Sequence, residues 1–493
     1  MTAYVLVAGA HTGGWIWQET ARALREAGAR AYPVTLTGMG DGGRPAGPDT
    51  DLETHIRDVL EVIDAVAAAE GPVVLVGHDY GIHPVVGAAD RRPARTARVV
   101  HLDTGIPQDG DPPLALYRDQ ELRDRAQDGD GPVPPPSGPE EWARHGSTAG
   151  VPADALARLT DRAVPQPRAT LTRPLRLTGA VAALPVTGVF CTANGSSIAL
   201  VETLVGLGDP RLAVLTEPRV TFFDLGTGHW PMLSAPRGLA DILLRAVAGE
   251  GRRLAPRGEQ APQQRPFPLP VPELPRERHG RVDLHLPRAE HPSPAVVFVH
   301  GGPVSPDVRP TPRDWPAFLG YAQLLASQGV VAATVDHRFH DLTDFDRAAH
   351  DVAEAVALVR ADPRVDPDRV ALWFFSAGGL LCADWLAAPP PWLRCVALTY
   401  PVLAPLPNWG LSATRFHPAP AALPTVLTRV ALEVPEIAAT VDRFIASAAS
   451  SGAPLEVVEA PEAHHAFESR DPAPVSTPPL RAAVSAVLGH LTA

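Results

Sequence analysis

Twice along this chain a short β-branched run ends in a tight turn that leads into a helix-patterned segment. The first turn is Gly77-His78-Asp79-Tyr80-Gly81 and the second is Phe374-Phe375-Ser376-Ala377-Gly378-Gly379. Around each, strand-like runs alternate with helical ones. In the first half the runs fall at 4–7, 31–36, 73–76, 99–102, 186–191 and 220–223. In the second half they fall at 295–299, 330–335, 370–373, 395–399, 425–430 and 455–458. Between the second and third runs, Ile56, Val59, Leu60 and Ile63 recur with the i, i+3, i+4, i+7 spacing of an amphipathic helix, and Thr50 with Glu53 has the spacing of a capping box. Such alternation predicts an α/β class: mostly parallel sheets flanked by helices.

The two halves are separated by 249–280, rich in proline and arginine. Proline fixes φ and cannot donate to a ladder, so this stretch reads as a semi-extended linker between domains at 1–248 and 281–493. A length of 493 residues suits two or three domains of ordinary size. Within the first domain the rhythm breaks over 105–184, a Pro-, Asp- and Arg-rich insertion that reads as a cap over the carboxyl edge of the sheet.

Composition excludes several kinds of chemistry. All 43 basic residues are arginine, which rules out a lysine Schiff base and a P-loop lysine. A net charge of −12 argues against nucleic-acid or anionic-membrane partners. Cys191, Cys382 and Cys395 lie in apolar surroundings without paired spacing, so we expect buried thiols in a reducing, cytoplasmic setting. The first strand starts at residue 4 with no basic-then-apolar leader, which predicts no secretory signal, and no apolar run nears the ~20 residues of a membrane helix. Gly38, Gly40, Gly42 and Gly43 lack dinucleotide-loop spacing. His78 and His83 read as turn and core residues, and His337 and His340 as a solvated loop. No metal or cofactor is expected. Oligomeric state leaves no trace in the sequence.

In the second domain, Ser376 stands where a strand turns sharply into a helical segment, which lifts its hydroxyl above the sheet and aims backbone N–H groups at a developing oxyanion. Phe374 occupies the place of the first glycine in the usual G-x-S-x-G pattern. Upstream, His300-Gly301-Gly302 follows the first core strand. Downstream, Glu433 and Glu436 follow the strand ending near 430, and Ala463-His464-His465-Ala466-Phe467 follows the last. This domain resembles dienelactone-hydrolase-like and prolyl-oligopeptidase-like α/β-hydrolases over nearly all of 281–493. The resemblance implies Ser376 as nucleophile, His465 (directly before Ala-Phe) as base, Glu433 as acid with Glu436 in the same loop, and an oxyanion hole at Gly302 and Ala377. It implies an enzyme that cleaves a carboxylic ester or thioester of a small organic molecule.

The first domain resembles salicylate-esterase-like and hydroxynitrile-lyase-like α/β-hydrolases. The likeness rests on Gly9-Ala10, Gly13-Gly14-Trp15, Gly77-His78, Leu102-Asp103 and Gly228-His229. It implies His229 as base and oxyanion donors at Ala10 and Tyr80. The chain departs from that family twice. Asp79 replaces serine, and the loop 192–197, where the family keeps its acid, has no carboxylate. Three readings follow. Asp79 is a nucleophile, as in haloalkane dehalogenases and epoxide hydrolases of this fold, with Asp103 as a displaced acid; against it, Tyr80 stands where dehalogenases place tryptophan, and the cap offers only Tyr117 where epoxide hydrolases use two tyrosines. Alternatively, Asp79 and His229 transfer protons in a lyase or cyclisation step. In the third, the domain has lost catalysis and serves binding or assembly.

Overall fold

The computed structural model describes residues 1–117, 120–206, 210–254, 264–406 and 416–492. The chain divides into two compact units, each built on its own sheet.

The first sheet has six strands: β1 (Ala3–Val7), β2 (Arg30–Val34), β3 (Val73–His78), β4 (Thr96–Leu102), β5 (Val186–Cys191) and β6 (Val220–Leu225). They lie in the order β2-β1-β3-β4-β5-β6, every pair parallel. A parallel sheet is covered on both faces, so its central strands are apolar throughout rather than alternating. All five residues of β1 are buried; Val5 and Val7 join a core with Ile56, Val59 and Ile63, while Tyr4 and Leu6 join another with Trp17, Leu24 and Leu243. The period of two thus feeds alternate side chains to opposite helical layers.

The helix Leu52–Glu70 is capped one residue later than the spacing of Thr50 and Glu53 suggests. Asp51 is the N-cap: it accepts from Thr54 N at 2.9 Å, and its own N–H donates to Thr54 Oγ1 at 3.4 Å. Thr50 instead accepts from Gly47 N at 2.9 Å. This start buries Leu52 and Ile56 completely, and a carboxylate also answers the positive end of the helix.

Between β4 and β5 the chain leaves the sheet and forms the helices Gln120–Asp128, Pro139–His145, Ala153–Arg162 and Arg168–Thr172. This insertion covers the carboxyl ends of the strands: His229, beyond β6, donates its backbone N–H to Ser147 O at 2.7 Å.

The second sheet has eight strands: β7 (Arg276–His279), β8 (Val282–His285), β9 (Ser293–Val299), β10 (Val331–Val335), β11 (Val365–Phe375), β12 (Leu393–Thr399), β13 (Thr425–Leu432) and β14 (Leu455–His464). Their order is β14-β13-β12-β11-β9-β10-β8-β7. The six from β9 to β14 are parallel, and the hairpin β7–β8 adds antiparallel to β10. Strand β7 lies inside the stretch that reads as linker. Its residues, Arg-Glu-Arg-His, carry no apolar pattern; the strand is held by ion pairs from Arg276 and Arg278 to Asp283, which is fully buried, and to Asp314. All three cysteines are free and buried. Among the described residues no helix is long and apolar enough to cross a membrane, and no cluster of His, Cys, Asp and Glu could hold a metal.

Candidate active sites

Ser376 directly follows β11 and sits at φ 52°, in the left-handed region that a non-glycine residue occupies only under constraint. Gly301 makes that constraint possible: a Cβ there would lie 2.6 Å from Ser376 Cβ, so only glycine lets the loop after β9 come this close. Phe374 is accommodated fully buried. In the first domain the corresponding Gly77 is packed so that a Cβ would sit 2.6 Å from Ile82 Cα, at the start of the helix Ile82–Arg91. After Ser376 the chain winds as a 3-10 turn, Ser376–Cys382, before the short helix Ala383–Ala387; after Asp79 the 3-10 turn is shorter, Asp79–Gly81.

Three side chains from separate strand ends converge here. The Ser376 hydroxyl donates to His465 Nε2 at 2.7 Å, and His465 Nδ1–H donates to Glu433 Oε2 at 2.6 Å. All three side chains are buried. Glu433 is further fixed by Val434 N, which donates to Oε1 at 2.9 Å. Glu436 lies in the first turn of the helix Pro435–Ser451 and does not touch the imidazole; His464 turns away and pairs with Asp471. Ala377, next to the serine, is buried.

His337 and His340 are not a solvated loop. His337 is buried and stacks on His300, with ring centroids 3.7 Å apart, and its Nε2–H donates to His300 O at 2.9 Å. His340 bonds Val304 O at 2.9 Å. Together they brace the loop that carries Gly301 and Gly302 against Ser376.

One group escaped the sequence reading. Glu468, three residues past His465, is 3% exposed and accepts from Tyr321 OH at 2.6 Å and Tyr400 OH at 2.9 Å. The Tyr400 ring lies 4.8 Å from that of His465. Burial pushes the Glu468 carboxyl up to about 7, against the pull of Tyr321, Tyr400 and His465. A glutamate on a short helix carries no sequence mark of burial.

The first domain repeats the strand-to-turn geometry with a carboxylate. Asp79 directly follows β3, at φ 47°. Its Oδ2 accepts from Ala10 N at 3.0 Å. The buried Tyr80 hydroxyl bonds His55 Nδ1 at 2.7 Å. His229 Nδ1–H donates to Asp103 Oδ2 at 2.7 Å. Asp103 itself accepts from Asn194 Nδ2 at 2.7 Å and from Cys191 N at 3.0 Å. The histidine therefore has a carboxylate partner, carried after β4 rather than after β5, and Asn194 occupies the loop where the acid is missing. His78 Nε2–H donates to His229 O at 2.7 Å.

The charges in this site reinforce each other. Burial alone would raise Asp79, but the imidazoles of His229 and His78 and the N–H groups of Tyr80 and Ala10 outweigh it and hold the carboxyl below its usual range. Burial alone would lower His229, yet the hydrogen bond and charge of Asp103, with the charge of Asp79, raise it. His78 and His83 are buried, each pushed down to about 4, by burial first. The Tyr117 side chain, from the insertion, is also buried, and its hydroxyl has no partner among the described residues.

Residues 4–242 match the model of the alpha/beta hydrolase family, and residues 282–386 match that of BD-FAE. A carbendazim hydrolyzing esterase from Nocardioides sp. (strain SG-4G) is 45% identical over 116 residues, which are 24% of this chain and 47% of that protein. Esterase PIR7B of Oryza sativa subsp. japonica is 34% identical over 106 residues, 21% of this chain and 39% of its own length. Putative methylesterase 12, chloroplastic, of Arabidopsis thaliana is 31% identical over 117 residues, 24% and 33% of the two chains. The chain thus spans less than half the length of these curated relatives. Among solved structures, methylesterase MES16 from Arabidopsis is 21% identical, covering 51% of this chain and 100% of its own at a TM-score of 0.39. Two family matches, falling on two sheets each with a sharp strand-to-helix turn, identify the chain as a tandem of two α/β-hydrolase domains.

Proposed function

We propose that the chain is a serine hydrolase that cleaves a carboxylic ester or thioester of a small organic molecule, with the chemistry in the second domain. The observation that carries this reading is the hydrogen-bonded series Ser376 Oγ, His465 Nε2, His465 Nδ1 and Glu433, with both links within 2.7 Å. As Ser376 attacks the substrate carbonyl, His465 takes its proton. Glu433 holds the ring in the required tautomer and stabilises its cation. The N–H groups of Ala377 and Gly302 would receive the oxyanion. His465 then returns the proton to the leaving alcohol or thiol, and a second cycle with water frees the enzyme. The esterase names of the relatives agree with an ester substrate.

An activity-based fluorophosphonate tests the assignment. The full chain should be labelled on the peptide carrying Ser376, and Ser376→Ala should abolish both labelling and p-nitrophenyl acetate hydrolysis. Labelling that survives this substitution moves the nucleophile elsewhere.

A further inference from the structure

The hydrogen bonds of His465 leave one motion of its ring free. Nδ1 is held by Glu433 at 2.6 Å and Nε2 by Ser376 at 2.7 Å, so the imidazole is fixed along the line through its two nitrogens but can still tilt about it. A contact on the face of the ring stops that tilt. Tyr400 supplies it, with ring centroids 4.8 Å apart at an interplanar angle of 51°. The contact matters most after the serine has reacted. Once Ser376 Oγ carries the acyl group it has no proton to offer Nε2, and only Glu433 and the face of Tyr400 hold the ring while it draws a proton from water.

Tyr400 is itself fixed at both ends. It directly follows β12, at φ 38°, with its N–H donated to Thr428 O at 3.0 Å, and its hydroxyl donates to Glu468 Oε2 at 2.9 Å. The other oxygen of Glu468 accepts from Tyr321 OH at 2.6 Å. Tyr321 comes from the helix Pro316–Ser327 and packs on Phe298 of β9 and on Trp373 and Phe375 of β11. Ala466, at φ 58°, turns the chain straight after His465, and Glu468 then reaches the same tyrosine on which His465 packs. Residues upstream of the sheet brace this arrangement. A Cβ on Gly320 would run into the Phe267 ring, which packs edge-on against Tyr321 at 5.3 Å. Leu274 N donates to Gln323 Oε1 at 2.8 Å, and Arg265 Nη1 donates to Arg470 O at 3.0 Å, at the end of the short helix Phe467–Arg470 that carries Glu468. A buried carboxyl is by itself a poor source of stability. What it provides here is direction: one group with two acceptor oxygens ties the segment after His465 to tyrosines on two separate elements.

We propose that Glu468 is a positioning residue for His465: with Tyr400 and Tyr321 it forms a buried bracket that keeps the imidazole aligned while the acyl-enzyme is hydrolysed, and the segment 264–275 braces that bracket. This rests on Ser376, His465 and Glu433 acting as proposed above. The bracket bears on deacylation more than on acylation, because in the free enzyme Ser376 itself helps to align the ring.

Stopped-flow and steady-state kinetics of the full chain on p-nitrophenyl acetate, an activated ester whose turnover is limited by deacylation, provide the test. Glu468→Leu should lower kcat about 10²-fold, the loss that a misplacement near 1 Å brings, while kcat/KM, which reports acylation, falls less than about threefold. The burst of p-nitrophenolate should keep its full amplitude per chain, which a misfolded fraction would reduce. Glu468→Gln still bonds both tyrosines and should restore kcat to within about fivefold of wild type, the worth of one altered hydrogen bond. Tyr400→Phe keeps the ring but unties it from Glu468; it and Phe267→Ala should show the same split at about tenfold. If Glu468→Leu lowers kcat, kcat/KM and the burst alike, or if Tyr400→Phe leaves kcat within about twofold, the bracket is only structural and the proposal is overturned. An unchanged Phe267→Ala strikes 264–275 from it. Ser376→Ala, run alongside, separates the two readings: hydrolysis that survives it withdraws the triad, and hydrolysis that requires Ser376 but ignores Glu468 withdraws the bracket alone.

Discussion

The Glu468 carboxyl provides a sharp test of the second domain's interior. Its environment raises it from an ordinary 4.5 to about 7, burial being the dominant cause. A group raised on folding contributes its full stability below its unfolded value and loses it as pH climbs through the folded value. The shift corresponds to about 3 kcal/mol, carried at 3% exposure with little solvent to screen it. Glu468→Gln keeps the shape and removes the ionisation. The wild type should therefore lose about 3 kcal/mol relative to the variant between pH 4.5 and pH 8, whatever constant offset the amide introduces against Tyr321 and Tyr400. Pulse proteolysis across a urea series, read on peptides from β11, gives the unfolding free energy of this domain at each pH. A difference between the two proteins that stays flat within about 1 kcal/mol across that range would refute the reasoning.

Two further outcomes follow from contacts already described. Glu433→Gln should lower kcat on p-nitrophenyl acetate by about 10³–10⁴-fold, as loss of the orienting carboxylate does elsewhere, whereas Glu436→Gln should change it less than about threefold; steady-state kinetics on both variants decides the acid. Asp51→Ala should destabilise the first domain by about 1 kcal/mol, while Thr50→Ala should cost less, a contrast that pulse proteolysis read on first-domain peptides measures directly.

Where structure could be read from the sequence, the reason is periodicity and local turn chemistry. All twelve parallel strands are marked by β-branched runs, and the turns at Asp79 and Ser376 follow theirs directly. The features that were missed depend on distant partners. Strand β7 is polar because its stability comes from Asp283 and Asp314 rather than from apolar burial. His337 looks like a loop residue until His300 is stacked upon it. The N-cap fell on Asp51 rather than Thr50 because Asp51 with Thr54 has the same spacing as Thr50 with Glu53, and the reciprocal bonds with Thr54 appear only in the folded helix start. Asp103 was visible as a carboxylate after a strand, but its pairing with His229, 126 residues away, is a tertiary fact. Glu468 had no local signature at all.

The polar hairpin has a consequence for how this protein meets its neighbours. Strand β7 is the last of its sheet and is largely exposed, and an open edge offers unpaired N–H and C=O groups to any passing chain. Here that edge presents arginine, glutamate, arginine and histidine in succession. Arg276 and Arg278 are anchored on Asp283, and Glu277 is paired with Arg364. A strand approaching to extend the ladder would have to desolvate these charges or part the ion pairs. The sheet therefore ends in a row of salt bridges that discourages fibre-like growth, which a chain with two large β-cores has reason to avoid.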